Sequence, residues 1–328
     1  MTNTIILPRT EVAGRYKLEV RRQGQLIHDT GWFDNLITNA GLEAIGEAKA
    51  LCQFVMVGTG NTAPANTNTT LGAQIAFKDG NSAPSATISQ GVETTGTRYG
   101  WMRKSFPFSQ GAVVGNVAEV GVGWSSTAVF SRSLVSPAIS LLAIDQLTVV
   151  YEVRMYLPTV DATGSVTIGG TSYNYTIRPA YAASANTSGG PSMGWATGIP
   201  NFQAVTRQWC PYNWSLPFYG ASSFGPPAVI QTNVETTFIR QTDGGTVSPG
   251  TGASYPSSGS NAAYVPGSLS CQFTLTWGIG NGNDTGGIKA FIYSGLFGTY
   301  QCVLDGTIPK DNTKTLSMTW SQTWARRP

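Results

Sequence analysis

Residues 58–63 read GTGNTA and follow the apolar run Phe54–Val57, matching the G-x-G-x-x-A form of the dinucleotide fingerprint. That chemistry needs a helix to start at the glycines, so that its first amides meet a pyrophosphate. Pro64 and the polar run ANTNTT follow instead, so the segment reads as a turn into a polar loop. No G-x-x-x-x-G-K-[ST] sequence occurs. His28 is the only histidine, and any Ser-His-Asp or Cys-His machinery would have to run through it. Its neighbour Asp29 falls on the opposite face of a strand and cannot orient it, so His28 reads as a solvent-facing strand residue. One histidine and four scattered cysteines (Cys52, Cys210, Cys271, Cys302) do not make a zinc site. The cysteines sit in apolar settings and read as buried free thiols of a protein made in a reducing cytosol.

The 17 acidic residues form no signature. Glu43 and Glu47 share a helix face, where like charges four apart are normally solvated. NGNDTGG (281–287) could offer carbonyls and Asp284 to calcium, but it lacks the further acidic ligands, and a Gly/Asn turn is the plainer reading. A glycosidase carboxylate pair drawn from separate strands has nothing to single it out. The expectation is a protein that is not an enzyme and takes no cofactor or metal.

Aromatic residues are the remaining chemistry. QWCPYNWSLPFYGASSF (208–224) packs Trp209, Tyr212, Trp214, Phe218, Tyr219 and Phe224 among prolines and glycines, with Trp195 upstream. Loop aromatics offer large contact area at low entropic cost and suit a sugar face or a partner protein. The alternative is a cluster capping a domain or filling a subunit interface.

The elements that must position these residues are mostly strands. Only 11% of the 328 residues are charged, while Gly, Thr, Ser and Asn abound, a mixture that builds strands and tight turns. The net charge of +3 and the lack of a basic block give no electrostatic footprint for nucleic acid. MTNTIILPRT lacks a basic leader, and Asp145 interrupts the most apolar stretch, Ala138–Val150, so neither a signal peptide nor a membrane span is expected. Residues 16–30 read as a hairpin around Gln23-Gly24. Residues 39–50 read as the one helix, with Asn39 as N-cap and Leu42 and Ile45 on the buried face. Strands are expected at 83–90, 97–108, 113–124, 127–135 and 139–157, then a hairpin at 166–181 and strands at 270–278, 287–304 and 314–324. Low-complexity loops lie at 61–70, 182–199 and 242–262.

An internal repeat emerges at a shift of 169 residues, which lays Trp124-Ser125 on Tyr293-Ser294, Leu134-Val135 on Val303-Leu304, Leu147-Thr148 on Leu316-Ser317 and Tyr151 on Trp320. The expected fold is mainly β: two related β-sandwich-like domains, 1–158 and 159–328, with one short helix near the N-terminus.

GWFDNLITNAGL, VGTGNTAPANTNTTLG, FSQGAVVGNVAEVGVGW, SRSLV and DQLTVVYEVRMYLP, spread over residues 25–158, resemble a broad group of tailed-bacteriophage virion proteins described as tail, tail-fibre or collar components. The ending IPKDNTKTLSMTWSQTWAR resembles the closing strand common in such proteins. The resemblance implies a virion protein made in the host cytoplasm that assembles as several copies on other virion proteins. In that picture the first domain docks and the second is exposed. The alternative it leaves open is a host-recognition module whose aromatic loops contact a surface polysaccharide or protein. It transfers no catalytic residue.

Overall fold

TEVAGRYKLEVRR alternates side chain by side chain between buried and half-exposed, and it forms a 13-residue strand whose inner face includes Val12, Tyr16, Leu18 and Val20. A computed structural model describes residues 4–47, 49–93, 97, 99–156, 161–179, 181–182, 228–231, 246–247, 257–295 and 298–328. In chain order the elements begin with β1 (Thr4–Ile6), β2 (Thr10–Arg22), β3 (Gln25–Asp29), β4 (Phe33–Asp34), β5 (Leu36–Ile37) and the helix α1 (Asn39–Gly46). Next come β6 (Phe54–Gly58), β7 (Gln74–Asp79), β8 (Thr87–Glu93), β9 (Tyr99–Pro107), β10 (Gly115–Gly123), β11 (Ser131–Leu141) and β12 (Asp145–Tyr156). The second half holds β13 (Ala162–Ile168), β14 (Thr171–Pro179), β15 (Tyr181–Ala182), β16 (Ala228–Gln231), β17 (Thr246–Val247) and β18 (Ser258–Asn261). It closes with β19 (Ser270–Trp277), β20 (Asp284–Gly295), β21 (Gly298–Lys310) and β22 (Leu316–Arg326).

The fold is mainly β and sandwich-like. One large sheet has the order β18-β19-β22-β2-β12-β9-β8, with β1, β3 and β4 attached at its middle. Two five-stranded sheets, β5-β11-β10-β6-β7 and β13-β14-β21-β20-β16, accompany it. Across the first pairing of layers the Phe130 ring meets Tyr151 edge-on at 6.5 Å, and the Tyr16 hydroxyl lies 2.7 Å from Ser131 Oγ. Across the second, Phe291 meets Trp320 edge-on at 5.6 Å and Trp277 at 5.8 Å. Side chains of this size contribute ~1.5–3 kcal/mol each when fully buried.

The two halves repeat one another. Advancing both members of the pair Thr148↔Pro107 by 169 gives Ser317↔Thr276, and Val149↔Phe106 gives Met318↔Leu275; both are real partners of β22 and β19. The two copies nevertheless share a sheet. β22 runs parallel to β2 through Thr10↔Trp324 and to β1 through Ile5↔Trp320, while β12 lies antiparallel on the other side of β2. The boundary expected at 158/159 therefore falls within one continuous sheet and one continuous core, which joins Tyr16, Val149 and Tyr151 to Trp277, Trp320 and Trp324.

The helix is shorter than expected. It covers 39–46, and its N-cap is Thr38, whose Oγ1 accepts from Gly41 N at 2.9 Å, rather than Asn39. A Cβ on Gly46 would strike the Tyr264 ring and one on Gly41 the Phe130 carbonyl, so both glycines allow a close approach. Leu42 and Ile45 are buried as expected. Trp324 Nε1 donates to Leu42 O at 2.9 Å, and Arg326 donates to Ile37 O, so the last strand holds the helix.

Several strand boundaries differ from expectation: β2 starts at Thr10 rather than residue 16, and the 166–181 hairpin starts at Ala162. The turn expected near Ser136-Pro137 lies instead at 142–144, because β11 takes the exposed proline where its pairing with β10 slips. The single strand expected at 287–304 is a hairpin, β20 and β21, paired at Gly295↔Gly298; the aromatic and aliphatic residues on both sides of the two glycines hide the turn. Strand β7 was not expected, because QIAFKD places its large apolar residues on a face open to solvent.

Candidate functional site

The GTGNTA turn binds a carboxylate of its own chain. Glu119 on β10 accepts from the amides of Gly60 (3.1 Å), Gly72 (2.9 Å) and Ala73 (2.6 Å). Arg132 on β11 donates Nε to Glu119 Oε2 at 2.9 Å, Nη1 to Asn68 Oδ1 at 2.9 Å and Nη2 to Thr62 O at 2.9 Å. Both side chains are buried. A Cβ on Gly58 or Gly60 would collide with Glu119, so these glycines serve this approach rather than a phosphate. Burial pushes the Glu119 carboxyl up, but the Ala73 and Gly72 amides and the Arg132 guanidinium outweigh it and hold the group below the usual carboxylate range. The loop is thus fixed from beneath, while Asn61, Thr62, Asn66 and Thr67 are exposed.

A second constellation lies on the outer face of the large sheet. Register places Arg15 of β2 and Arg103 of β9 on either side of Glu152 of β12. Glu152 has no exposed side-chain surface, and it accepts from Arg15 at 2.8 and 3.2 Å, from Arg154 Nε at 2.6 Å and from Arg103 Nε. Trp32 stands beside two of the guanidinium groups, its ring centre 4.3 Å from Arg15 and 5.2 Å from Arg103. Arg103 also lies 4.3 Å from Trp101, and Arg154 lies 4.5 Å from Tyr99. Burial pushes Glu152 up, but three guanidinium hydrogen bonds reverse this and keep it ionised. Exposed Asp34 opposite Arg15, the Glu11–Arg327 pair and Glu93 opposite Tyr99 flank the cluster, so the face is mixed in charge. Sequence reasoning missed this group. Its members are 15, 103, 152 and 154, and only strand alternation combined with the correct strand order could have united them.

The remaining sequence candidates have definite places. Beside the NGNDTGG turn the ammonium of Lys310 donates to Gly278 O (2.9 Å), Asn283 Oδ1 (2.8 Å) and Asp311 O (3.1 Å). No group of three or more His, Cys, Asp or Glu side chains suited to a metal exists among the described residues. His28 is half-exposed on β3, and Asp29 turns to Lys17 Nζ (2.9 Å) and the Gly31 amide (2.8 Å). Glu43 is not simply solvated: it accepts from the Tyr264 hydroxyl at 2.7 Å and from Gly267 N at 2.9 Å. Cys52, Cys271 and Cys302 are buried, and burial raises the thiols of Cys271 and Cys302 well above their ordinary value. Among the described residues no helix is long and apolar enough to cross a membrane. Trp195, Trp209, Tyr212, Trp214, Phe218, Tyr219 and Phe224, and with them Cys210, lie outside the described residues.

No protein-family model, curated protein or solved structure matches the chain.

Proposed function

We propose that this chain is a structural component of a bacteriophage virion appendage, a tail, tail-fibre or collar part that assembles in several copies on other virion proteins and has no catalytic role. The observation that carries this reading is how the ionisable side chains are used. Glu119 holds a loop, Glu152 clamps three arginines, Glu43 receives Tyr264, Asp145 pairs with Arg22 at 2.8 Å, and Lys310 closes a turn. Glu119, Glu152 and Asp145 are held below the usual carboxylate range by these partners and are poorly suited to exchange protons with a substrate. The resemblance of residues 25–158 to tailed-phage virion proteins supplies the setting. The test is gold-labelled antibody on particles of the source phage, viewed by electron microscopy, with a protein profile of the same particles. Label on the tail or neck is expected. Absence of both label and protein would remove the reading.

A host-recognition role is the second reading, and the arginine–tryptophan face favours it. The other copy of the repeat keeps the same strand register with Ser321, Gln272 and Thr323 at the positions of Glu152, Arg103 and Arg154. Backbone pairing therefore does not demand these charges. Substituting Trp209 and Trp214 separates the readings: lost adsorption with intact particles favours recognition, and lost assembly favours structure.

A further inference from the structure

The outer-face cluster around Glu152 has one guanidinium with spare capacity. Arg15 spends Nε and Nη2 on Glu152, and Arg154 is shared between Glu152 and Tyr156. Arg103 donates only Nε, so among the described residues both of its terminal nitrogens are without a hydrogen-bond partner. Its side chain is 36% exposed, against 22% for Arg15 and 18% for Arg154. Two indoles reach the same guanidinium, Trp101 at 4.3 Å and Trp32 at 5.2 Å, and both are half-buried. The buried Glu152 and the two rings therefore hold a bare Nη fork in place before any ligand arrives, which lowers the entropic cost of binding.

Charge selects the ligand. Three guanidinium groups against one carboxylate leave an excess of two positive charges at the centre. Around it stand Asp34 opposite Arg15, Glu93 opposite Tyr99, and Glu11 paired with Arg327. A positive centre with an acidic rim suits one carboxylate at a time. It repels a continuous polyanion such as a nucleic-acid strand, which carries a phosphate about every 3.4 Å. A planar carboxylate matches the fork with two parallel hydrogen bonds, and the apolar face of a sugar ring packs on an indole. We propose that Arg103, with Trp101 and Trp32, binds an acidic sugar: a uronate or sialate residue set among neutral sugars in a polysaccharide. The second copy keeps the backbone register with Gln272 and Ser270 at the positions of Arg103 and Trp101, so the fold itself does not call for this pair.

This inference rests on the host-recognition reading and gives it a ligand class, yet the two fail differently. Binding by the purified chain with unchanged adsorption of an Arg103→Lys phage would keep the site and remove its host role, whereas lost adsorption without binding of either probe would do the reverse. The experiment is isothermal titration calorimetry of the full chain with two probes. One is a hyaluronan octasaccharide, whose uronates alternate with neutral sugars, and the other is sialyllactose, whose acid is terminal. At least one is expected to bind with a Kd of about 1 mM or tighter, and the one that does so names the source of the acid. Its carboxyl-reduced form is expected to bind at least ~tenfold more weakly. Arg103→Lys keeps the charge and loses the fork, so it should cost at least ~tenfold in affinity while urea unfolding stays cooperative. Trp101→Ser, which installs the residue type of the second copy, should weaken binding as well. No binding of either probe, equal binding of the carboxyl-reduced form, or wild-type affinity in Arg103→Lys would each overturn the proposal. Tighter binding of a single-stranded oligonucleotide than of both sugars would overturn it in favour of nucleic acid.

Discussion

On one side of β2 the large sheet carries Glu152, Arg103, Arg154 and Trp101 on its outer face. On the other side, at positions 169 residues further along and in the same register, stand Ser321, Gln272, Thr323 and Ser270. The second face is joined by hydroxyls, Thr274 to Thr319 and Thr276 to Ser317 at 2.9 Å each. Their inner faces agree, since Val149 and Tyr151 correspond to Met318 and Trp320, all buried. The same contrast recurs at the turns. Val114, Leu142 and Ile144 are exposed in the first copy, whereas Asn283, Asp311 and Thr313 replace them in the second, around Lys310 and Lys314. The backbone plan and the apolar interior are common to both copies. What differs is the surface chemistry.

Exchanging residues between the copies is the direct way to probe that statement. The largest effect is expected at the buried pair. Pairing of β10 with β11 matches that of β20 with β21, and puts Ala290 and Gln301 where the first copy has Glu119 and Arg132. Arg132→Gln alone strands a buried carboxylate and should cost about 3–5 kcal/mol in urea unfolding. Adding Glu119→Ala should recover part of that loss, and a double variant as poor as the sum of its singles would contradict the pairing. Next comes the outer face. Glu152→Ser leaves three guanidinium groups without their acceptor and should cost about 2 kcal/mol. The triple change Arg103→Gln, Glu152→Ser, Arg154→Thr, which installs the second copy's set, should cost less than Glu152→Ser alone. Lys310→Leu, the residue at 141 in the first copy, frees three oxygens of the 278–283 turn. A loss of about 1–2 kcal/mol is expected, together with faster proteolysis at that turn.

The smallest effect is the pH dependence. Glu119 and Glu152 both have folded-state values below their unfolded ones. Their contribution is complete above the ordinary glutamate value of about 4.3 and fades as pH falls from there through the lower folded values. Stability should therefore drop on the acid side. The Glu119→Ala/Arg132→Gln protein should show a shallower drop, measured by urea midpoints between pH 5 and 3; an identical slope would assign the acid loss elsewhere.

Strand alternation made β9, β12, β19, β22 and the second half of β2 readable in the sequence, because each has one face in the core and one outside. The same rule hides β7, whose apolar residues face solvent, and the β20–β21 turn, whose flanks are both apolar. The repeat was legible because a fixed shift keeps buried aromatics in step. The sharing of one sheet was not, since the contacts of Thr10 with Trp324 and of Leu42 with Trp324 link residues about 300 apart and leave no local pattern. Glycine chemistry was ambiguous for the same reason: GTGNTA looks alike whether its amides face a phosphate or Glu119. Only the position of β10 decides between them.

The central structural claim is that the two copies form one folded unit through β2, β22 and the helix. Expressing residues 1–158 alone and following their unfolding in urea tests it most directly. Without β22, Ile5, Leu7 and Leu42 lose their cover and β1 loses its only pairing partner among the described residues, so the account predicts no cooperative transition. A sharp transition with stability close to that of the full chain would contradict it and make the halves independent domains.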